Sequence, residues 1–311
     1  MAFLDDLAER LGAARQGRGL VVIERDRPIV IKVGSELSIS ADVPELGEAA
    51  MTARIGDLGL VPDARTGDPP FDAAWTITTP TPELAPLLLT RAVQRALDAT
   101  RVPGGLVETA VHLALGSGAV RVLRQDGDRS MERTVAAVEA VRAIARRPDE
   151  IRQELDATIA ALSGRRLSSP WTWSGGIAAT VPCGRSLASL AVALDGQRPI
   201  VRLVVDAALD LAEAELVDQV DGRDGDAWQP LAISGMVARG DVVHFRDAAA
   251  IAAFAPTGIV IQKASAPRLR EATTRCEIRW RSWIPRLPAL QGAMQWIAAT
   301  FSDVTQSSPY R

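Results

Sequence analysis

The pattern of apolar and polar positions predicts a helix at the start of the chain, followed directly by strands. The first apolar positions recur on one helical face: Phe3, Leu4, Leu7 and Leu11. Short apolar runs and period-two alternation then continue from residue 19 to residue 40, and both patterns are typical of strands. We therefore expect an N-terminal amphipathic helix within 1–18 and a β-rich segment after it.

The rest of the first half predicts the order strand, helix, hairpin, helix. These elements cover about 71–78, 82–99, 106–124 and 130–146. The hairpin turn falls at Gly116-Ser117, and the second helix carries an apolar stripe of Val135, Val138, Val141 and Ile144. Pro148 is expected to end that helix, because proline lacks the N–H of a helix interior. A further helix is expected at 149–162.

A polar segment at 163–170, with Gly164 and Pro170, is the expected boundary between two domains. Beyond it the pattern again alternates between strands and short helices. The predicted strands are 177–181, 187–194, 199–206, 231–238, 241–245, 258–264 and 273–283, and the predicted helices are 247–254 and 288–301. The sequence therefore predicts the α+β class.

A short identity between the halves predicts an internal duplication. Arg27-Pro28-Ile29-Val30 matches Arg198-Pro199-Ile200-Val201, an offset of 171 residues. The same offset carries the strand at 71–75 onto 242–246. We therefore expect two related modules, 19–163 and 164–311. Each would be antiparallel and β-rich, with the order strand–helix–hairpin–helix and its helices packed on one sheet face. The alternative is one continuous sheet with helices on one face.

Composition narrows the class of protein. A chain of 311 residues fits about two domains, and 47% hydrophobic with 23% charged residues is typical of a globular protein. The net charge of −3 makes nucleic acid an unexpected partner. The N-terminus does not match a secretory signal, and no apolar run reaches transmembrane length. These two observations lead us to expect a cytoplasmic protein. Arginine almost replaces lysine, as in GC-rich bacterial genomes, so we also expect a bacterial protein.

The sequence shows no motif that indicates a catalytic residue, a cofactor site or a metal site. Cys183 and Cys276 are too few for a zinc site or a disulfide framework. His112 and His244 have no close partner histidine or cysteine. The loop 218–226 groups four aspartates, but no glutamate closes it as in an EF-hand, and an exposed turn is the preferred interpretation.

The strand at 273–283 is the main candidate for binding. Alternation places four candidate side chains on one face: Arg275, Arg279, Arg281 and Trp283. Such a face suits an anionic ligand or a single-stranded nucleic acid, and the alternative is a solvated face with cross-strand ion pairs. Trp171 and Trp173 follow the expected boundary and point the same way. They are candidates for an interface, with core packing as the alternative.

The expected function is non-enzymatic. A pseudo-symmetric body without clustered catalytic groups favours a scaffold or adaptor that binds a protein partner or associates with itself. Two alternatives stay open. One is an enzyme whose site between the modules uses carboxylates and arginines, and the other is an anionic-ligand or nucleic-acid binder acting through the strand at 275–283.

Overall fold

A computed structural model describes most of the chain. The described residues are 2–55, 64–101, 111–124, 130–167, 171–195, 198–207, 211–218, 228–231, 233, 235–264, 273–284 and 286–302. Within them the chain forms seven α-helices and seventeen strands, so the α+β class is confirmed. Part of the predicted hairpin (106–110), most of the aspartate loop and the end of the expected boundary segment lie outside the described residues.

Among its described residues the first half contains five helices and eight strands. The helices are α1 (Ala2–Leu11), α2 (Pro69–Ala74), α3 (Leu84–Leu88), α4 (Arg91–Asp98) and α5 (Met131–Ala161). The strands are β1 (Ala14–Gln16), β2 (Gly19–Glu24), β3 (Arg27–Val33), β4 (Leu37–Asp42), β5 (Met51–Ile55), β6 (Trp75–Thr78), β7 (Val111–Gly116) and β8 (Ala119–Arg124).

The second half contains nine strands and two helices among its described residues. The strands are β9 (Arg165–Arg166), β10 (Ile177–Cys183), β11 (Ser186–Asp195), β12 (Arg198–Ala207), β13 (Ala214–Asp218), β14 (Gln229–Pro230), β15 (Met236–Gly240), β16 (Gly258–Ala264) and β17 (Thr273–Trp280). The helices are α6 (Ala248–Phe254) and α7 (Leu287–Ser302). None of the described helices is both long and apolar enough to cross a membrane.

The strands form two sheets. The first has the order β1-β2-β3-β4-β8-β7-β5-β6, and the second, read from β9, has the order β9-β10-β11-β12-β17-β16-β13-β15-β14. In both sheets the first four strands are consecutive neighbours, and the last strand of the sheet in chain order lies beside the fourth. Every pair whose register is described is antiparallel.

The chain divides into two compact units. The first unit contains 1–151 together with 171–175 and 196–198, and the second contains 152–170, 176–195 and 199–311. The first sheet therefore belongs to the first unit and the second sheet, apart from Arg198, to the second. The division falls inside α5, after Ile151.

Alternation of buried and less buried side chains is clear in β4 of the first sheet and β17 of the second. In β4, Leu37, Ile39 and Ala41 are buried while the serines between them are only partly covered. In β17, Cys276, Ile278 and Trp280 are buried and alternate with charged residues. Because successive strand residues point to opposite faces, this alternation commits one face of each sheet to a core.

Pro148 does not end a helix, so the prediction of two helices at this point is wrong. Helix α5 runs without a break through Pro148. Ile144 and Ala145 before the proline and Ile151 after it are 0–1% exposed. Apolar contacts on both sides of the proline therefore offset the backbone hydrogen bond that it cannot donate.

The predicted helix at 82–99 is two helices, α3 and α4. Leu87, Leu88 and Leu89 are all buried, and three consecutive residues cannot occupy one face of a helix with 3.6 residues per turn. The chain turns instead at Leu89, whose ψ is 63°, and restarts after Thr90 in extended conformation.

The predicted strand at 241–245 is also wrong, because Val242–Phe245 forms a 3-10 helix. The Asp241 carboxylate accepts a hydrogen bond from the Val243 amide and so begins the helix. Similarly, Asp68 accepts from the Phe71 amide and begins α2. The strand predicted to start at residue 71 therefore starts at Trp75.

The two matching tetrapeptides occupy different places in their sheets. Arg27 begins β3, the third strand of the first sheet, whereas Arg198 begins β12, the fourth strand of the second. Arg27 is largely covered, and its guanidinium donates two hydrogen bonds to the Glu45 carboxylate at 2.7 and 2.6 Å. Arg198 is exposed. Aligning the two halves with an offset of 171 residues therefore pairs Arg27 with Arg198, and these two residues have different structural roles.

Arg27→Lys should destabilise the protein by about 1–2 kcal/mol, because a lysine ammonium cannot reproduce the paired contact with Glu45. The same contact raises the pKa of Arg27. The matched control, Arg198→Lys, should change stability by less than about 0.5 kcal/mol. Urea unfolding followed by tryptophan fluorescence measures both changes. Equal shifts of the two midpoints would contradict a special role for the Arg27–Glu45 pair.

Candidate functional site

The charged face of β17 is a set of ion pairs. Arg275 donates from Nε and Nη2 to the Asp206 carboxylate at 2.8 and 3.1 Å, across the register that joins β17 to β12. Arg279 donates to Glu277 Oε1 at 2.7 Å, and the Arg202 guanidinium lies 3.7 Å from the same oxygen. Arg275 and Arg279 therefore lie on one face of β17, as predicted. Carboxylates on the same sheet largely balance their charges.

Arg281 and Trp283 do not share that face, because β17 ends at Trp280. Trp283 is 3% exposed and contributes to a core instead of a binding surface. Arg281 lies beyond the strand, where it lines a cavity. The expected group of four side chains is therefore divided between an ion-paired sheet face, a core and a cavity wall.

The cavity has a volume of about 680 Å³, which is within the range of small-molecule sites. Three segments of the second unit supply its lining, around Phe254 at the end of α6, Trp280 at the end of β17, and Leu290 in the first turn of α7. These three side chains are 1–8% exposed and form an apolar base. Arg281 and Arg286 are the charged residues of the lining, which contains no carboxylate among the described residues.

The base of this cavity is held in a fixed arrangement. Trp280 Nε1 donates to the Phe254 carbonyl oxygen at 2.8 Å, and their rings meet edge to face with centroids 6.4 Å apart. Trp296 lies on α7, and the centroid of its ring is 6.1 Å from that of the Phe254 ring. Aromatic contacts of this kind, closed by an indole hydrogen bond, favour one side-chain arrangement. The cavity therefore does not depend on mobile side chains for its apolar surface.

Trp171 and Trp173 are core residues of the first unit. They are 1% and 5% exposed, and the Trp173 amide donates to the Glu45 carbonyl oxygen at 2.7 Å. Their rings point away from solvent, as the core-packing alternative requires. An interface with another molecule would need these rings uncovered, so their contribution here is to the stability of the first unit.

The two cysteines are poor nucleophiles. Burial raises the pKa of the Cys183 thiol to about 11 and raises that of Cys276, which is 0% exposed, still further. A thiol in this state is protonated at neutral pH, whereas the thiolate is the reactive form. The arrangement does not support cysteine-based catalysis.

The histidines are separate and lie in different units. His112 in β7 has a lowered pKa because of burial and, secondarily, the charge of Arg54. His244 Nε2 lies 3.8 Å from the Asp241 carboxylate. Over the part of the chain that the structure describes, no three His, Cys, Asp or Glu side chains gather into a group that could hold a metal ion.

Two hairpin tips expose apolar side chains that the sequence patterns did not single out. The first tip joins β2 to β3, where Ile23 is 64% exposed and lies opposite exposed Pro28. The second joins β10 to β11, where Leu187 is 68% exposed and lies opposite exposed Pro182. Alternation from buried Val22 places Ile23 on the outer face, and this signal is visible in the sequence.

The comparisons with known proteins give no family for this chain. No protein-family model, curated protein or solved structure matches it. Any functional assignment therefore rests on its own residues: the ion-paired face of β17, the cavity beside Trp280 and the two hairpin tips.

Proposed function

We propose that this chain is a non-enzymatic interaction or assembly protein that binds a protein partner through the hairpin tips. The observation that supports this function is the pair of exposed, proline-backed apolar side chains, Ile23 with Pro28 and Pro182 with Leu187. Scattered exposed apolar residues are common on protein surfaces. Here an exposed aliphatic residue faces an exposed proline at the same step from the turn of two antiparallel hairpins, one in each unit, with the two residues exchanging strands between the hairpins.

The two hairpins also occupy equivalent places in their sheets. Strands β2 and β3 are second and third in the first sheet, and β10 and β11 are second and third in the second sheet when it is read from β9. This agreement supports the further proposal that the units are related modules produced by duplication. The equivalent strands would then be β3 with β11 and β4 with β12, in place of the register given by the matching tetrapeptides.

The hairpin tips are suited to binding because their backbone is fixed and their side chains are uncovered. The first tip turns through Arg25 and Asp26, both with positive φ, and the second through Gly184 with φ of 59°. Tight two-residue turns of this kind hold the flanking residues in register. Burying an exposed isoleucine or leucine side chain against a partner contributes about 1.5–3 kcal/mol. We also propose that the protein is bacterial and acts in the cytoplasm, as expected from its sequence.

The test is affinity capture from the native host, with partner retention measured by quantitative mass spectrometry. A specific partner should be retained by the wild-type chain and lost by about tenfold or more with Ile23→Asp combined with Leu187→Asp. Leu167→Asp is the matched control, because Leu167 is 61% exposed and lies outside both tips. It should retain the partner at the wild-type level.

Sedimentation of the same variants tests self-association. If the partner is a second copy of the chain, the double variant should sediment as a monomer under conditions where Leu167→Asp sediments as an oligomer. If the double variant retains the same proteins as the wild type and has the same association state, the hairpin tips are not the binding surface.

A further inference from the structure

We propose that the outer face of the first sheet binds an acidic protein surface, on which carboxylates flank small apolar side chains. The outer face consists of the strand residues that alternate with the buried ones, as in β4, β7 and β8. Ile23 and Pro28 of the first hairpin tip lie at one end of this face. Its role therefore rests on the function proposed above and adds the chemical class of the partner.

The strand register places three cations on the outer face: Lys32 on β3, Arg121 on β8 and Arg54 on β5. The cross-strand pairs that connect them are Lys32–Ser38, Ser38–Leu123, Leu123–His112 and His112–Arg54, while Arg121 pairs with Ser40 and Ala114. The strand order β3-β4-β8-β7-β5 puts Lys32 and Arg54 four strand spacings apart, a distance of about 19 Å. Arg121 lies on the strand halfway between them.

The charges of these cations are not balanced within the described part of the chain. Lys32, Arg54 and Arg121 are exposed, and none of them has a carboxylate partner among the described residues. The described strands place one carboxylate on the same face, that of Asp42 at the end of β4. An excess of positive charge on a partly apolar surface favours a partner of complementary, negative charge.

The second sheet provides the contrast, because its outward cations are paired. Arg275 contacts Asp206, and Arg239 contacts Glu215 on the neighbouring strand. Arg279 contacts Glu277. The excess of positive charge is therefore specific to the first sheet and does not follow from the arginine content of the chain.

The side chains between the cations favour a protein partner over a nucleic acid. They are small apolar or hydroxyl-bearing groups, all partly exposed: Val21, Val30, Ser38, Ser40, Thr52 and Ala114. Single-stranded nucleic acids bind largely by stacking on aromatic rings, and the described strands place no Phe, Tyr or Trp on this face. The net charge of −3 also opposes a long polyanion. Small side chains allow an element of a protein partner to pack closely.

The probes for the test are two labelled helical peptides of about 18 residues, which are long enough to span the three cations. In both, a stripe of leucine and alanine is flanked by polar residues, which are glutamates in one peptide and glutamines in the other. Fluorescence anisotropy should show that the wild type binds the glutamate peptide about tenfold more tightly. Lys32→Gln, Arg54→Gln and Arg121→Gln combined should weaken the glutamate peptide by about tenfold and the glutamine peptide by less than about threefold.

The matched control combines Arg239→Gln, Arg275→Gln and Arg279→Gln, which removes the same number of positive charges from the second sheet. It should bind the glutamate peptide within about threefold of the wild-type affinity. Circular dichroism verifies that each variant is folded. Equal weakening by the two triple variants, or equal wild-type affinity for the two peptides, overturns the proposal. Tighter binding of a thymidine oligonucleotide than of the glutamate peptide also overturns it.

Affinity capture separates a failure of this proposal from a failure of the proposed function. If Ile23→Asp with Leu187→Asp loses the native partner while the first triple variant keeps it, the hairpin tips bind the partner and the acid-binding role of the outer face is wrong. If the tip variant keeps the partner while the first triple variant weakens the glutamate peptide, the outer face binds without the tips and the proposed function alone is wrong.

Discussion

Replacing Gly176 by alanine should destabilise the protein by about 3–5 kcal/mol, the sum of an unfavourable backbone conformation and a steric clash. Gly176 has φ of 60° at the start of β10. A Cβ atom at this position would lie 1.9 Å from the Val192 carbonyl oxygen and 2.9 Å from the Ala193 Cα. Both contacts involve the backbone of β11, which cannot move without disrupting its pairing with β10.

Gly17→Ala is the control for this prediction. Gly17 also has φ of 60°, but a Cβ atom there meets nothing within 4 Å. It should cost only the conformational part, about 1–2 kcal/mol. Urea unfolding of both variants, followed by tryptophan fluorescence and far-UV circular dichroism, measures the difference. If the two midpoints shift equally, the close approach of β10 and β11 at Gly176 contributes nothing to stability.

Features that depend on neighbouring residues were predictable from the sequence. The alternation in β17 separates Arg275, Glu277 and Arg279 from buried Cys276 and Ile278, as its period of two requires. The β7–β8 hairpin is present among the described residues, but its turn lies at Ser117 and Gly118, both at positive φ, one residue later than the predicted turn at Gly116-Ser117. Such patterns need no knowledge of distant segments.

Features that depend on distant segments were not predictable in the same way. Asp206, the partner of Arg275, follows from the register between β12 and β17, and four other strands of the same sheet separate these two in sequence. The cavity combines residues from α6, β17 and α7. Pro148 is a strong local signal for a helix end, and buried residues on both sides of it overrule that signal.

The buried thiols should react with a thiol reagent at least about 100-fold more slowly in the folded protein than in the unfolded chain at about pH 8. Burial raises the pKa of Cys183 from an ordinary value of 9.0 to about 11. The reactive thiolate then falls from roughly one molecule in ten to one in a thousand, before any loss of access to the reagent. Labelling in buffer and in concentrated guanidinium chloride measures the two rates.

The same thiols should make the protein less stable as the pH rises from about 9 to 11. In that interval the Cys183 thiol loses its proton in the unfolded chain and keeps it in the folded protein, where its pKa is about 11. The unfolded state therefore binds fewer protons, and the free energy of unfolding decreases with pH, by on the order of 2–3 kcal/mol for one such group. Cys183→Ala should show a shallower decrease in urea titrations across this range. An equal slope in the wild type and the variant, or rapid labelling of the folded protein, would show that the Cys183 thiol is accessible to solvent.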